Sequence, residues 1–235
     1  MVILYIPPQG LVLFSLLSLV DVNFIQMVWK ALLVLSLFAS VFIFRRIFKL
    51  DPKQTCYLLA GICFSHACFE AFRIDQLATV LLLLFSLTLY SLYREKLSLS
   101  GIFLTFLFVL KPQHSIPFIV FLAGAKRWKV LFSFGVTLAL LTLIAFLQVG
   151  FDGFINYLEL MRDPMSAVRQ QAELSATVRG QLVRLFPGYE DMIFLATTLI
   201  YGVLVLFSFY WGRLVSKEET WLSRGIFLIV PLSLV

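Results

Sequence analysis

The sequence predicts an all-α polytopic membrane protein, a multi-helix bundle with about 7–9 apolar segments and one external loop of about 40 residues. Three observations predict it. Of 235 residues, 61% are hydrophobic, 16% aromatic and only 14% charged, with a mean hydropathy of +0.97. A soluble domain is about 45–50% apolar and about 25% charged, so this excess leaves no polar shell for a water-facing surface. The apolar residues run continuously instead of alternating, which selects helices over a β-barrel. The charges lie in short clusters between those runs. Together these features exclude a soluble enzyme, a disordered tail and a disulfide scaffold, and a single transmembrane domain is expected over residues 1–235.

Charge-free runs fall at 2–20, 31–44, 54–69, 77–93, 97–110, 112–125, 130–151, 192–212 and 225–235. A helix needs roughly 20 apolar residues to cross about 30 Å of hydrocarbon. The runs 130–151 and 192–212 are long enough alone, 77–93 is nearly so, and 22–44 suffices if Lys30 is accommodated near one end. The runs 97–110 and 112–125 have 14 residues each, and such a helix reaches only about 21 Å. They meet at Leu110-Lys111-Pro112, which sets a cation and a helix breaker between two short helices. Two readings stand: broken helices that line a water-filled cavity, or a tight hairpin whose Lys111 snorkels to the headgroups.

Residues 152–191 form the one long hydrophilic stretch, with Tyr157, Arg162, Arg169, Arg179 and Arg184 punctuated by Pro164, Pro187 and Gly188. An ordered external loop over a cavity is expected there. Its spaced apolar residues Leu174, Val178, Leu182, Val183 and Leu185 predict an amphipathic helix lying on the membrane.

Charge assigns the sides. One set of loops holds Arg45, Arg46, Lys49, Lys53, Arg94, Lys96, Lys126, Arg127, Lys129, Arg213, Lys217 and Arg224 against Asp51, Glu95, Glu218 and Glu219, a net of +8. The other holds Arg73, Lys111, Arg162, Arg169, Arg179 and Arg184 against nine anions, including Asp21, Glu70, Asp75 and Asp152, a net of −3. Lys30 supplies the remaining charge of the overall +6. The positive-inside rule places the first set in the cytoplasm and the second, with the 152–191 loop, outside. The basic balance is therefore topological and implies no nucleic acid.

The chain carries no Walker-type loop, GxSxG, HExxH or CxxC pair, which removes support for nucleotide hydrolysis, triad hydrolysis and zinc chemistry. Cys56, Cys63 and Cys68 share one apolar stretch without ligand partners and are expected as buried free thiols. His66, alone among apolar neighbours, is expected to pack between helices. Met1 to Gln9 lacks a basic segment and carries Pro7-Pro8, so no cleavable signal peptide is expected. Two polar clusters remain near the outer ends of the runs: Glu70, Arg73, Asp75 and Gln76, and Lys111, Gln113 and His114. Ionisable groups at membrane depth face a cavity or one another; for Arg73 and Asp75 a solvated turn between spans is the favoured reading. A Lys beside a broken helix can hold a lipid-linked phosphate as a point charge.

The order of features resembles glycosyltransferase family 87, polytopic enzymes of the GT-C fold. It runs Tyr5-Ile6-Pro7-Pro8, Trp29 to Arg45-Arg46, Asp75-Gln76 ahead of Leu77 to Leu84, Arg94-Glu95-Lys96, Ser100-Gly101, Lys111-Pro112, Lys126-Arg127-Trp128 and Thr177-Val178-Arg179-Gly180. The likeness covers essentially the whole chain. It departs at Asp75, where the family carries Gly, and at Ile6, which separates Tyr5 from the proline pair.

The resemblance implies transfer of a hexose, typically mannose, from a polyprenyl-phosphate carrier. The acceptor is a hydroxyl of a glycolipid, polysaccharide or glycan on the outer face, and the anomeric centre is inverted. It implies the plasma membrane of a prokaryote, membrane lipid as surroundings, no metal, and no cofactor beyond the lipid-phosphate-linked sugar. Lys111 is the expected phosphate contact, with Arg73, His114 and Arg179 as further candidates and Tyr5 and Gln76 as groups that orient sugar or acceptor. The family's acidic general base lies in a loop expected upstream of Met1, and a downstream motif is expected beyond Val235. A chain truncated at both ends, and inactive alone, is therefore expected, with 9–20 as a membrane-parallel external helix. The other reading is a non-enzymatic transporter or flippase-like carrier of lipid-linked sugar.

Overall fold

A computed structural model of the chain describes residues 8–10, 21–73, 77–162 and 178–216. The expected 9–20 helix beyond residue 10, the 225–235 run, Tyr5 and Gln76 lie outside the described residues. Nine helices are defined among these residues, and no strand: α1 (Val22–Phe48), α2 (Pro52–Cys63), α3 (His66–Arg73), α4 (Ala78–Tyr93), α5 (Leu97–Leu110), α6 (Pro112–Gly124), α7 (Trp128–Arg162), α8 (Val178–Leu185) and α9 (Glu190–Val215). The all-α membrane class is thus observed. Phe24–Phe48, Trp128–Glu159 and Glu190–Val215 are long and apolar enough to cross a membrane, with mean hydropathies of 2.2, 2.5 and 2.3. They also leave large side chains uncovered, among them Leu35, Phe38, Phe132, Leu147, Val203 and Leu206. Such surfaces are costly in water and neutral against lipid tails.

Local sequence explains most element ends. Asp51 caps α2: its carboxylate accepts from the Gln54 N–H at 2.7 Å, the Gln54 side chain accepts from the Asp51 N–H at 3.0 Å, and Pro52 opens the helix. The ends of α1, α4 and α6 close alike. Lys49, Glu95 and Lys126 take positive φ of 52°, 56° and 56°. The following N–H then reaches back five residues: Leu50 to the Arg45 carbonyl (3.0 Å), Lys96 to Ser91 (2.8 Å) and Arg127 to Leu122 (3.0 Å). This is the Schellman closure, usually completed by glycine. Charged residues complete it here, and the neighbouring Arg and Lys side chains lie at negative helix ends.

Two boundaries differ from expectation. The apolar run 54–69 divides at Phe64-Ser65, because Ser65 turns to cap α3, its hydroxyl accepting from the Cys68 N–H at 3.2 Å. Helix α7 continues past residue 152 to Arg162, so the expected external loop begins as helix. Its break comes at Gly150, whose φ of 69° and ψ of −177° only glycine adopts readily. The cysteines also differ: Cys68 is buried, but Cys56 and Cys63 are exposed, since α2 buries none of its residues.

The chain divides into two compact units. The first comprises residues 1–111 and 132–145. In it α4 packs against α1 and α5, with Leu33, Leu37, Leu89, Leu92, Leu104 and Leu107 buried. Small polar residues let these backbones approach: the Ser100 hydroxyl donates to the Thr88 carbonyl (3.1 Å) and the Thr105 hydroxyl to the Phe134 carbonyl (3.1 Å).

The second unit comprises residues 112–131 and 146–235, and its main packing is α6 on α9. Glycines make that packing close. A methyl group on Gly124 would overlap the Phe209 carbonyl, and one on Gly212 would overlap the Phe121 carbonyl.

Candidate functional site

Lys111 sits between α5 and α6, outside both helices, with φ −150° and ψ 83°. Its own N–H still donates to the Leu107 carbonyl at 3.0 Å. The helix cannot continue, because Pro112 clashes with a helical conformation of the residue before it. Its side chain is exposed, yet the protein atoms around the ammonium withdraw it from water and lower its pKa from the ordinary lysine value.

Helix α6 restarts at Pro112, and the Ser115 hydroxyl turns back to the Pro112 carbonyl at 3.0 Å. His114, in that first turn, is half-buried. One turn later Pro117 interrupts the ladder, since it has no N–H to give to the Gln113 carbonyl. The Tyr201 hydroxyl of α9 fills the vacancy, donating to that carbonyl at 2.7 Å.

Arg179 lies in the first turn of α8, half-buried, with its guanidinium carbon 4.0 Å from the centre of the Phe194 ring of α9. Its Nε and Nη2 are buried without a hydrogen-bond partner, and burial lowers its pKa, although an arginine remains charged at any physiological pH. Phe194 and Tyr201 are one heptad apart, hence on one face of α9 and about 10 Å apart along it. That face therefore holds both the turn bearing His114 and the helix bearing Arg179. Sequence reasoning named His114 and Arg179 but missed Phe194 and Tyr201. Their heptad spacing, and the orphan carbonyl that Pro117 must create, were the available signals.

The amphipathic helix expected near 178–185 is present as α8; Leu174 lies outside the described residues. In the first unit Arg73 ends α3 and, with Cys63, Cys68, Phe69 and Phe72, lines a cavity of about 490 Å³. Among the described residues no three His, Cys, Asp or Glu side chains converge as metal ligands.

Residues 4–235 match glycosyltransferase family 87. No curated protein and no solved structure matches the chain. A chain matched from its fourth residue to its last, with three helices able to cross a membrane, belongs to glycosyltransferase family 87.

Proposed function

We propose that the chain moves a hexose, mannose in the first instance, from a polyprenyl-phosphate carrier to an acceptor hydroxyl at the outer membrane face, with inversion, on a GT-C-type helical scaffold. Family membership supports glycosyl transfer. The position of Lys111, in a helix break forced by proline, supports an anionic leaving group. In the step, the acceptor oxygen bonds to the anomeric carbon as the bond from that carbon to the phosphate oxygen breaks. The hydroxyl proton passes to a base that none of the residues named above is assigned to supply. The lipid phosphate leaves with the electron pair, and a fixed cation is worth most there, where negative charge develops in a site poor in water.

Lys111 takes the phosphate. Arg179 and His114, held by one face of α9, and Arg73 are the further polar contacts; Tyr5 and Gln76 orient sugar or acceptor. The donor is itself the lipid-phosphate-linked sugar, so the proposal invokes no separate cofactor. The acceptor is a glycolipid, polysaccharide or glycan. The basic helix ends at Arg45-Arg46, Arg94 and Arg127 face the cytoplasm of a prokaryotic plasma membrane by the positive-inside rule.

The test is transfer from polyprenyl-phosphate-mannose by the full-length protein in lipid nanodiscs. Lys111→Ala should lower transfer by about 10²–10³-fold, the loss typical of removing one transition-state contact, while membrane insertion stays intact. Normal transfer by that variant removes Lys111 from the phosphate. Broken helices also mark transport sites, so the carrier reading predicts movement of intact lipid-linked sugar with no release of lipid phosphate.

A further inference from the structure

Cys63 is the last residue of α2, and Cys68 lies in the first turn of α3. In an unbroken helix, positions five apart point about 140° away from each other. The Phe64-Ser65 turn removes that separation. The Ser65 hydroxyl donates to the Ile62 carbonyl at 2.7 Å and accepts from the Cys68 N–H at 3.2 Å, so one side chain ties both helix ends. The Cys68 thiol is in hydrogen-bonding contact with Cys63, and both line the cavity of about 490 Å³ that Arg73 also lines. Both are free thiols, Cys63 exposed and Cys68 buried. Sulfurs in contact meet the first requirement for a disulfide. The third thiol, Cys56, precedes Cys63 by seven residues on the same helix, about 10 Å along it and beyond the reach of such a bond.

We propose that Cys63 and Cys68 are a disulfide-forming pair across the α2–α3 turn, oxidised by exchange with an incoming disulfide on the outer side of the membrane. The compartment rests on the positive-inside assignment, which sets Lys49 and Lys53 at the cytoplasmic end of this segment and Arg73 at its outer end. Disulfides persist outside the cytoplasm and are reduced within it. The pairing itself is independent of the transferase reading. Cys63, the accessible thiol, loses its proton and attacks one sulfur of the incoming disulfide; the other sulfur departs with the electron pair and takes up a proton. Cys68, on losing its own proton, attacks the Cys63 sulfur, and the second incoming sulfur leaves in the same way. Two protein thiols are thereby oxidised and one incoming disulfide is reduced to two thiols. Helix α2 buries none of its residues, so a bond from its last residue to buried Cys68 anchors it to the first unit.

The experiment uses the full-length protein in lipid nanodiscs with oxidised glutathione as the probe. Alkylation in denaturant followed by peptide mass mapping is expected to show Cys63 and Cys68 losing alkylation together, their peptide two hydrogens lighter. Cys56 should be alkylated or carry glutathione. Cys68→Ser should stop at a mixed disulfide of glutathione with Cys63, and Cys63→Ser should leave Cys68 a thiol, since it is buried. Amide hydrogen exchange over 52–63 should slow on oxidation of the native protein and of neither variant.

Glutathione carried separately by Cys63 and Cys68 overturns the proposal, as does pairing of Cys56 with either. The native map stands even if a variant fails to fold. The side is read separately, by a membrane-impermeant maleimide on reduced vesicles of Cys56→Ser. Labelling of Cys63 from the outer face is expected, and labelling from the cytoplasmic face alone overturns the compartment.

Discussion

The Tyr201 hydroxyl donates to the Gln113 carbonyl at 2.7 Å, the carbonyl that Pro117 leaves without a donor four residues later. A helix break written into α6 is thus repaired from α9, and the repair holds the turn that follows Lys111. Tyr201→Phe should cost about 1 kcal/mol, the usual net value of one such bond. Pro117→Ala restores the missing N–H, so in that background the same Tyr201 change should cost much less. Thermal unfolding of the four proteins of this cycle in detergent checks it; equal costs in both backgrounds would refute the pairing.

Gly124 and Gly212 each face the carbonyl of a residue on the opposite helix, Phe209 and Phe121. Adding a methyl group there must push α6 and α9 apart. Gly124→Ala and Gly212→Ala should each destabilise by about 1–3 kcal/mol, the range for overpacking. Gly202, on α9 with open space around it, is the control: Gly202→Ala should be neutral or stabilise by up to about 1 kcal/mol through helix propensity. Denaturation in detergent distinguishes the three.

Glu95 completes a Schellman turn at φ 56°, where a side chain costs about 1–2 kcal/mol that glycine avoids. Glu95→Gly should therefore raise the melting temperature and leave transfer unchanged. A lowered melting temperature would show that the Glu95 side chain makes up more than its backbone strain.

Lys111 has a pKa below the ordinary lysine value because protein atoms crowd its ammonium. Its attraction for phosphate is present while it is protonated and lost as pH rises through that lowered pKa. Donor binding should accordingly decline on the alkaline side at a pH where an ordinary lysine is still charged. Lys111→Arg should remove that decline, since arginine does not titrate there. Stability takes the opposite sign. Between the lowered and the ordinary pKa the unfolded chain binds the extra proton, so stability rises with pH in that window. Binding isotherms and unfolding curves from neutral to alkaline pH measure the two separately.

Arg179 gains a ring contact at 4.0 Å and loses solvation at two buried nitrogens. A cation–π contact is worth about 0.5–2 kcal/mol and each of the two unsatisfied buried donors costs about 1–3, so the lost solvation outweighs the ring contact. Arg179→Met should leave stability unchanged or raise it while weakening binding of isoprenyl phosphate. A large loss of stability with unchanged binding would make Arg179 a packing residue only.

The membrane class, the three long helices and the break at Lys111-Pro112 were legible in the sequence. Hydrophobicity sums over consecutive residues, and proline acts on its immediate neighbours, so both are local. The Ser65 cap and the Gly150 kink are local too, but they lie within apolar runs whose composition does not mark them. What only the tertiary structure decided is which side chains meet across helices: Tyr201 on Gln113, Phe194 under Arg179, and Gly124 and Gly212 against opposing carbonyls. In a span that is apolar on every side, no amphipathic pattern distinguishes the face toward lipid from the face toward protein. Close packing of small residues and a few interhelical hydrogen bonds make that choice, and both exist only once the helices are together.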